Sequence, residues 1–273
     1  MKVIFKWPRS HYGVKMSDNT NIIKHNAEIW DKQAKSQCAW SIPVSSKVIN
    51  NAKKGTWQIH ITKKPIPTNW LPLNIKGKDI LCLASGGGQQ APVLAAAGAN
   101  VTVVDASIKQ LEQDDFVAKR DNLSLTTIQC DMRDLSQISN ACFDYIIHPI
   151  SNLYIPDLTD LWKECYRVLK IKGLLLASFY NPALFIFDRD DELTGKGLLR
   201  PKFKLPYSAL KDNKNINNSE EAITFGHTLS EQISKQIDAG FAITGFYEDD
   251  HPSPRFLIES FMQTMIATKA VKL

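Results

Sequence analysis

The sequence lacks a long hydrophobic run. No apolar stretch approaches the roughly 20 residues that a membrane-spanning helix needs. The opening decapeptide MKVIFKWPRS has three consecutive apolar residues, whereas a signal peptide has a longer apolar stretch. We therefore expect a cytoplasmic protein that has no membrane partner.

Cysteine is scarce and unpaired. The five cysteines are Cys38, Cys82, Cys130, Cys142 and Cys165. They are widely spaced and form no CxxC pair, so the pattern indicates neither a disulfide framework nor a zinc site, and we expect no bound metal. With 273 residues, of which 44% are hydrophobic and 22% charged, the chain has the composition of an ordinary globular domain, alone or with a cap.

Acidic residues are rare at the start of the chain. Residues 1–70 contain twelve Lys or Arg and three acids, although the whole chain has a net charge of only +5. Five of the six tryptophans also lie there. Basic charge mixed with aromatic residues is one pattern of single-stranded nucleic-acid binding. The lysines form no dense block, however, which favours a solvated face whose tryptophans pack on the main domain or line a small-molecule pocket.

From residue 78 onward, strand-like and helix-like patterns alternate. The predicted strands are 79–84, 101–105, 125–130, 143–148, 173–180, 241–248 and one near 261–270, and the predicted helices are 89–99, 107–122, 158–170 and 229–240. This alternation indicates a parallel sheet with right-handed crossovers. Only the loop DDHPSPR joins the last two strands, so they should be antiparallel neighbours. The expected fold is α/β, a doubly wound and mostly parallel seven-stranded sheet with an antiparallel C-terminal strand.

Two segments interrupt this rhythm. Residues 1–20 show no periodicity, and a helix over 21–34, a short helix and a proline-rich connection follow them. After residue 180 comes a long irregular stretch of the kind that often forms a lid or binding loop. We therefore divide the chain into four parts, which are an N-terminal extension (1–72), a core (73–180), an insertion (181–226) and the C-terminal part of the core sheet (227–273).

The stretch LCLASGGGQQ (81–90) places three glycines between the first strand and the first helix of the core. In open α/β sheets, ligands bind at the carboxyl ends of the strands, where such a loop meets a helix N-terminus. The glycines would let a ligand approach the backbone, and GGGQQA fits the GxGxxA dinucleotide pattern. Small residues at such a turn also serve plain strand–helix packing.

The next two strands each end in an acid. Asp105 lies 17 residues after Gly88, where a carboxylate can accept hydrogen bonds from both ribose hydroxyls. Asp131 and Met132 follow the third strand and suit an adenine ring, the acid accepting from the exocyclic amine and the thioether packing on the ring. Either acid could instead cap a helix, although Ser107 can do that after the second strand.

These three strand ends and the reversed last strand resemble the class I S-adenosylmethionine-dependent methyltransferases. The resemblance rests on DILCLASGGGQQAPVLAAAGANVTVVDAS, QCDMRDL, FDYIIHPISNLYIPDL and WKECYRVLKIKGLLLASF. It implies S-adenosyl-L-methionine as the cofactor. The residues that it places at the cofactor are Ala84, Ser85, Gly86, Gly88, Asp105, Ala106, Asp131, Met132 and His148. By resemblance to small-molecule members, the extension and the insertion would fold over the cofactor as a lid.

The first strand departs from the family pattern. Family members commonly have an acid where this chain has Cys82 and a glycine where it has Ala84. The acid normally helps to organise the loop around the amino group of the cofactor. That contact must therefore come from elsewhere, with loop carbonyls, Ser85 and His148 as candidates.

The methyl acceptor should lie beyond the fourth strand, at HPISNLY. This stretch lacks the Pro-Pro-aromatic arrangement of enzymes that methylate base or glutamine amino groups. His148 is a candidate base or orienting donor, with a histidine bonded to a loop carbonyl as the alternative. His227 is a second candidate base, or a structural histidine beside a helix N-terminus. The candidate substrate-binding residues are Trp30, Trp40, Asn152, Tyr154 and Tyr180.

The sequence thus predicts methyl transfer by in-line displacement to a small-molecule acceptor. This chemistry requires alignment and exclusion of water, and it needs a general base only if the acceptor loses a proton of high pKa. An RNA or protein methyltransferase and a non-catalytic cofactor-binding regulator remain as alternatives. A nicotinamide dehydrogenase would share the glycines and Asp105 but would give Asp131, Met132 and the last strand no role.

Overall fold

A seven-stranded sheet forms the centre of the protein. The computed structural model describes residues 19–188, 199–212 and 220–273. The predictions for residues 1–18, and for residues 189–198 and 213–219 of the insertion, lie outside the described residues. The sheet strands are β1 (Asp79–Leu83), β2 (Asn100–Asp105), β3 (Thr126–Gln129), β4 (Phe143–His148), β5 (Leu169–Tyr180), β8 (Phe241–Asp249) and β9 (Met265–Lys272). Their order is β3-β2-β1-β4-β5-β9-β8, and β9 runs antiparallel to both of its neighbours. The predicted fold class is confirmed.

Helices cover both faces of this sheet. They are α1 (Asn19–Lys35), α2 (Ser46–Lys53), α3 (Gln90–Ala96), α4 (Ile108–Asp121), α5 (Thr159–Val168), α6 (Ala209–Asp212) and α7 (Lys235–Asp238). A π-helical turn, Ser230–Ser234, precedes α7, so the helix predicted over 229–240 is irregular in its first half. Within the described ranges, no helix is both long and apolar enough to cross a membrane.

Two apolar layers enclose the sheet because alternate side chains of each strand point to opposite faces. Ile80 and Cys82 of β1 pack in the layer that contains α2, α3 and α4. Leu81 and Leu83 pack in the other layer, with α5. All four side chains are fully buried, as expected for a central parallel strand.

Strand β5 begins four residues earlier than the predicted strand at 173. Leu169 already pairs with Phe143 of β4, and the register then shifts between Phe143 and Tyr145. Lys172 takes up this irregularity with a positive φ of 63°. A bulge of this kind leaves no periodic signal in the sequence.

The N-terminal extension packs onto the core along α4. Ser107 caps α4 by accepting a hydrogen bond from the Gln110 N–H, and its hydroxyl donates to Asp31 of α1 at 2.6 Å. The Lys109 N–H donates to the same Asp31 oxygen at 3.0 Å. One carboxylate of α1 thus completes the N-terminus of α4, where negative charge is favoured.

The segment between β5 and β8 (residues 181–240, called the far segment) also packs against α1 through its described residues. Strands β6 (Tyr207–Ser208) and β7 (Phe225–Gly226) form a two-stranded antiparallel ribbon. Ala209, Ile223 and Phe225 form a small apolar cluster with Ile22 of α1. Residues from the two segments that flank the core are therefore in direct contact.

Candidate functional site

A cavity of about 720 Å³ lies at the carboxyl ends of β1, β2, β3 and β4. The strand order reverses between β1 and β4, and this switch point is the usual ligand position in a doubly wound sheet. One part of the wall comes from the strand ends, at 84–86, 105–107 and 130–132. Other parts of the wall come from α1, from 38–40 and 60–63, from the loop after β4 and from the segments between β5 and β9.

The glycine loop lies so close to α4 that a side chain at Gly86 or Gly88 would collide with the helix. A methyl group added at Gly86 would lie 2.7 Å from Gln110 Cβ, and one added at Gly88 would lie 2.9 Å from the Gln113 carbonyl oxygen. Gly87 and Gly88 also have positive φ angles of 115° and 71°. Gly86 lines the cavity, but Gly87 and Gly88 do not. The turn and the close contact with α4 explain the glycines at these two positions, and Gly88, a predicted cofactor residue, lies outside the cavity wall.

Asp105 lies between the loop and the start of α4. Its Oδ2 accepts from the Gly86 N–H at 3.0 Å and its Oδ1 from the Ser107 N–H at 2.9 Å. Burial, together with the smaller effect of the Asp31 charge, raises the pKa of Asp105 to about 6 against the lowering effect of these amides. Each carboxylate oxygen keeps a lone pair with which it could accept from a hydroxyl.

Asp131 and Met132 both line the cavity beside Cys130. Arg133 donates to Asp131 from its guanidinium, at 2.7 Å from Nη2 to Oδ2, and from its backbone N–H at 2.9 Å. Asp131 therefore has a cationic partner that the sequence interpretation did not include. The Asp131 oxygens have further lone pairs, so they could also accept a hydrogen bond from the exocyclic amine of an adenine ring.

Four of the five predicted substrate-binding residues line the cavity, namely Trp30, Trp40, Tyr154 and Tyr180. Trp30 and Tyr154 pack edge to face at 5.5 Å between ring centroids. The Lys63 ammonium group lies 3.6 Å from the centre of the Trp40 ring. Asn152 is outside the cavity wall and buried, and its amide donates to Gln232 at 2.7 Å.

Both histidines predicted as candidate bases lie outside the cavity wall. His148 is fully buried, bonds the Leu83 carbonyl through Nδ1 at 3.0 Å and packs edge to face on Trp162. Burial lowers the pKa of His148 to about 4. This geometry is that of a structural histidine, because the ring is held by a backbone carbonyl and packs against Trp162 of α5.

His227 is held in a similar way. Its Nε2–H donates to the carbonyls of Asn152 and Ile155 at 3.2 and 2.9 Å. Burial lowers the pKa of His227 as well. Its ring joins the far segment to the loop after β4 and is not part of the cavity wall.

His60 does line the cavity, and sequence reasoning missed it. Its Nδ1–H donates to the Lys63 carbonyl at 3.1 Å, so Nε2 carries the free lone pair of the neutral ring. Ile59 and Ile61 on either side are buried. The alternation in WQIHIT is the signal that could have shown His60 on the opposite side of an extended segment.

Comparison with known proteins decides the family. A family model described as "Methyltransferase domain" matches residues 81–177. The uncharacterized methyltransferase YbaJ of Bacillus subtilis is 46% identical over 257 residues, which cover 92% of this chain and 98% of that protein. The chain belongs to the class I S-adenosylmethionine-dependent methyltransferases.

Solved methyltransferase structures share the fold. The S-adenosylmethionine-dependent methyltransferase from Mesorhizobium loti superposes with a TM-score of 0.58 at 18% identity, over 75% of this chain and 94% of that one. The 1,6-didemethyltoxoflavin-N1-methyltransferase of Burkholderia thailandensis gives 0.60 at 13% identity, over 96% and 93% of the two chains.

The cavity suits the cofactor of this methyltransferase family, S-adenosylmethionine. Its volume lies within the roughly 300–1,000 Å³ of small-molecule sites. The Asp105 carboxylate has acceptor capacity for ribose hydroxyls, and Met132 offers a soft apolar contact for a flat ring. Ala84 and Ser85 complete the wall next to Gly86. These residues could hold the cofactor without rearrangement of the sheet.

Proposed function

We propose that this methyltransferase acts on a small-molecule acceptor. The supporting observation is that one cavity is bounded by the strand ends expected at the cofactor and also by aromatic residues of the flanking segments, including Trp30, Phe185 and Phe203. An acceptor in this space would lie next to the cofactor with aromatic side chains beside it. Such a site can align two reactants and exclude water, which in-line transfer requires.

Two further observations support a small acceptor. The cavity is too small to admit a folded protein or a nucleic-acid duplex. The likeness to the B. thailandensis enzyme covers 96% of this chain, and that structure contains bound 1,6-didemethyltoxoflavin and S-adenosylhomocysteine. By analogy, the described parts of the extension (19–72) and of the insertion (181–188, 199–212 and 220–226) cover the acceptor. A cytoplasmic location stays a prediction from the sequence.

The cavity residues have separate roles in this function. S-adenosylmethionine, when bound, supplies a methyl group on a positively charged sulfur. The cofactor is held by Ala84 to Gly86 and by Asp105 with Ala106, and its base is contacted by Asp131 and Met132. The acceptor is oriented by the aromatic side chains of Trp30, Trp40, Tyr154 and Tyr180.

His60 is the proposed general base. It accepts the proton of an acceptor that must lose one, because its Nε2 lone pair is free and its other nitrogen is fixed on the Lys63 carbonyl.

Calorimetric titration and an acceptor screen test this function. The purified protein is titrated in parallel with S-adenosylhomocysteine, S-adenosylmethionine and NAD, and micromolar binding of the first two without the third is expected. Transfer of a labelled methyl group from S-adenosylmethionine is then measured with a metabolite extract, with total RNA and with protein extract as acceptors. We expect label in the metabolite fraction, and label confined to RNA or protein would refute a small-molecule acceptor.

A further inference from the structure

The carboxyl-terminal half of β1, which leads into the glycine loop, contains no acid, but a buried acid of α4 lies beneath the loop. Cys82 of β1 and Asp114 of α4 are both fully buried. Cys82 packs in the same apolar layer as Leu111 and Val117, which lie on either side of Asp114 on α4. β1 is thus apolar at this position, and the carboxyl comes from the helix packed over it.

Asp114 bonds the backbone of the loop. Its Oδ2 accepts from the Gly87 N–H at 3.0 Å, and the amides of Gly87 and Gly88 both act to lower its pKa. Burial raises the pKa of Asp114 more than these amides lower it. The Gly87 N–H also donates to the Gln110 carbonyl at 3.0 Å, so α4 holds this amide by two acceptors.

A carboxyl at this position is costly. Asp114 lies between Leu111 and Val117 on the core-facing side of α4, where an apolar residue would be stable. Its Oδ1 has no hydrogen-bond partner among the described residues, and no Lys or Arg in that part of the chain forms an ion pair with it. Packing alone would not retain such a group, because a buried polar atom without a partner is destabilising.

We propose that Asp114 is a positioning residue that holds the cofactor-binding loop in shape from beneath, supplying from α4 the carboxyl that β1 lacks at Cys82. The Gly87 amide is fixed by Asp114, and the Gly86 amide is fixed by Asp105 on the cofactor side. The loop is thereby ordered before the cofactor binds, which reduces the entropy cost of binding.

Three variants test this role by their affinity for S-adenosylhomocysteine, measured by calorimetry. Asp114→Leu removes the acceptor and keeps the branched shape of the side chain, whereas Asp114→Asn keeps an acceptor oxygen and the side-chain volume. Val117→Ala is the matched control, because it weakens the same face of α4 one turn further from the loop. Circular dichroism gives the folded fraction of each, and amide hydrogen exchange of the peptide that contains residues 84–90 reports loop order without ligand.

We expect Asp114→Leu to bind S-adenosylhomocysteine at least about tenfold more weakly and to exchange faster in the loop peptide. Asp114→Asn and Val117→Ala should stay within about threefold of the parent affinity. If the leucine variant does not fold, Asp114→Ser replaces it with the same expectation, because its hydroxyl is too short to reach the loop. Parent-like affinity and exchange in the acceptor-free variant, or an equal loss of affinity in Val117→Ala or Asp114→Asn, would overturn the proposal.

Discussion

Asn26 on α1 bonds Ile223 of the far segment in both directions, although the two residues are 197 positions apart. The Asn26 amide nitrogen donates to the Ile223 carbonyl at 3.0 Å, and its amide oxygen accepts from the Ile223 N–H at 2.7 Å. The same amide nitrogen donates to the Tyr154 carbonyl at 3.0 Å. One buried side chain thus ties the extension, the insertion and the loop after β4 together beside the cavity.

Asn26→Ala should lower the free energy of unfolding by about 2–4 kcal/mol, because it leaves buried backbone groups of Ile223 and Tyr154 without a partner. Urea denaturation measures this change. Limited proteolysis should also cut the far segment faster in the variant than in the parent. The exposed Lys24→Ala on the same helix is the control, and an equal effect of the two substitutions would contradict the role of Asn26.

Asp105→Ala should weaken binding of S-adenosylhomocysteine by about 1–3 kcal/mol, since the ribose hydroxyls and the Gly86 N–H lose their acceptor. This corresponds to a roughly 5- to 150-fold higher Kd in calorimetry. Asp79→Ala is the matched control, because Asp79 begins β1 at the opposite edge of the sheet and forms an exposed ion pair with Lys170. Unchanged affinity in Asp105→Ala would remove Asp105 from the cofactor site.

Cofactor affinity should depend on pH through Asp105. Its pKa is raised to about 6, and hydroxyl donors favour the ionised carboxylate, so affinity for S-adenosylhomocysteine should rise from pH 5 to pH 7 and then level off. Binding near pH 6 should release protons, which calorimetry in two buffers of different ionisation enthalpy detects. Asp105→Asn should show a flat profile, and a parent profile that is flat as well would refute this assignment.

The raised pKa of Asp105 also makes the stability of the fold depend on pH, in the direction opposite to that of cofactor affinity. The carboxyl of Asp105 titrates near 3.9 in the unfolded chain and near 6 in the folded protein, so the folded state holds more protons between these values. Its contribution to the free energy of unfolding therefore falls as the pH rises from about 4 to about 6. This loss should be absent from the pH–stability profile of Asp105→Asn.

Glu259→Gln should destabilise the protein by about 1–3 kcal/mol at pH 7. The buried carboxylate accepts from the His251 ring and the Thr264 hydroxyl, each at 2.6 Å, and from two backbone amides, which together hold its pKa at about 2. This stabilisation is present above the unfolded pKa of about 4.3 and is lost as the pH falls towards 2.

The pH dependence of the Glu259→Gln effect is the control for this prediction. The difference in free energy of unfolding between the parent and Glu259→Gln should shrink steadily below about pH 4 in urea denaturation experiments. Glu248→Gln, at an exposed position of β8, should show little difference at any pH. A constant difference for Glu259→Gln from pH 7 to pH 2.5 would show that ionisation of Glu259 does not stabilise the fold.

The sequence by itself determined the sheet and predicted the edge of the sheet at which the cavity lies. Buried parallel strands appear as short apolar runs separated by helical periods, so β1, β2 and β4 could be located directly. Strand ends of such a sheet meet at one edge, so the sequence predicts that Gly86, Asp105 and Asp131 lie close together, and all three line the cavity. The antiparallel C-terminal strand followed from a connection without a helix.

Only the tertiary structure decided which side chains face the cavity. A strand buried on both faces has no polar side to mark orientation, so the sequence did not show that His148 points under α5 whereas His60 reaches the site. Helical periodicity turns Asp114 towards the core, but its partner is a loop amide 27 residues away. Such contacts depend on how the helices pack on the sheet, because long-range hydrogen bonds leave no periodic trace in the chain.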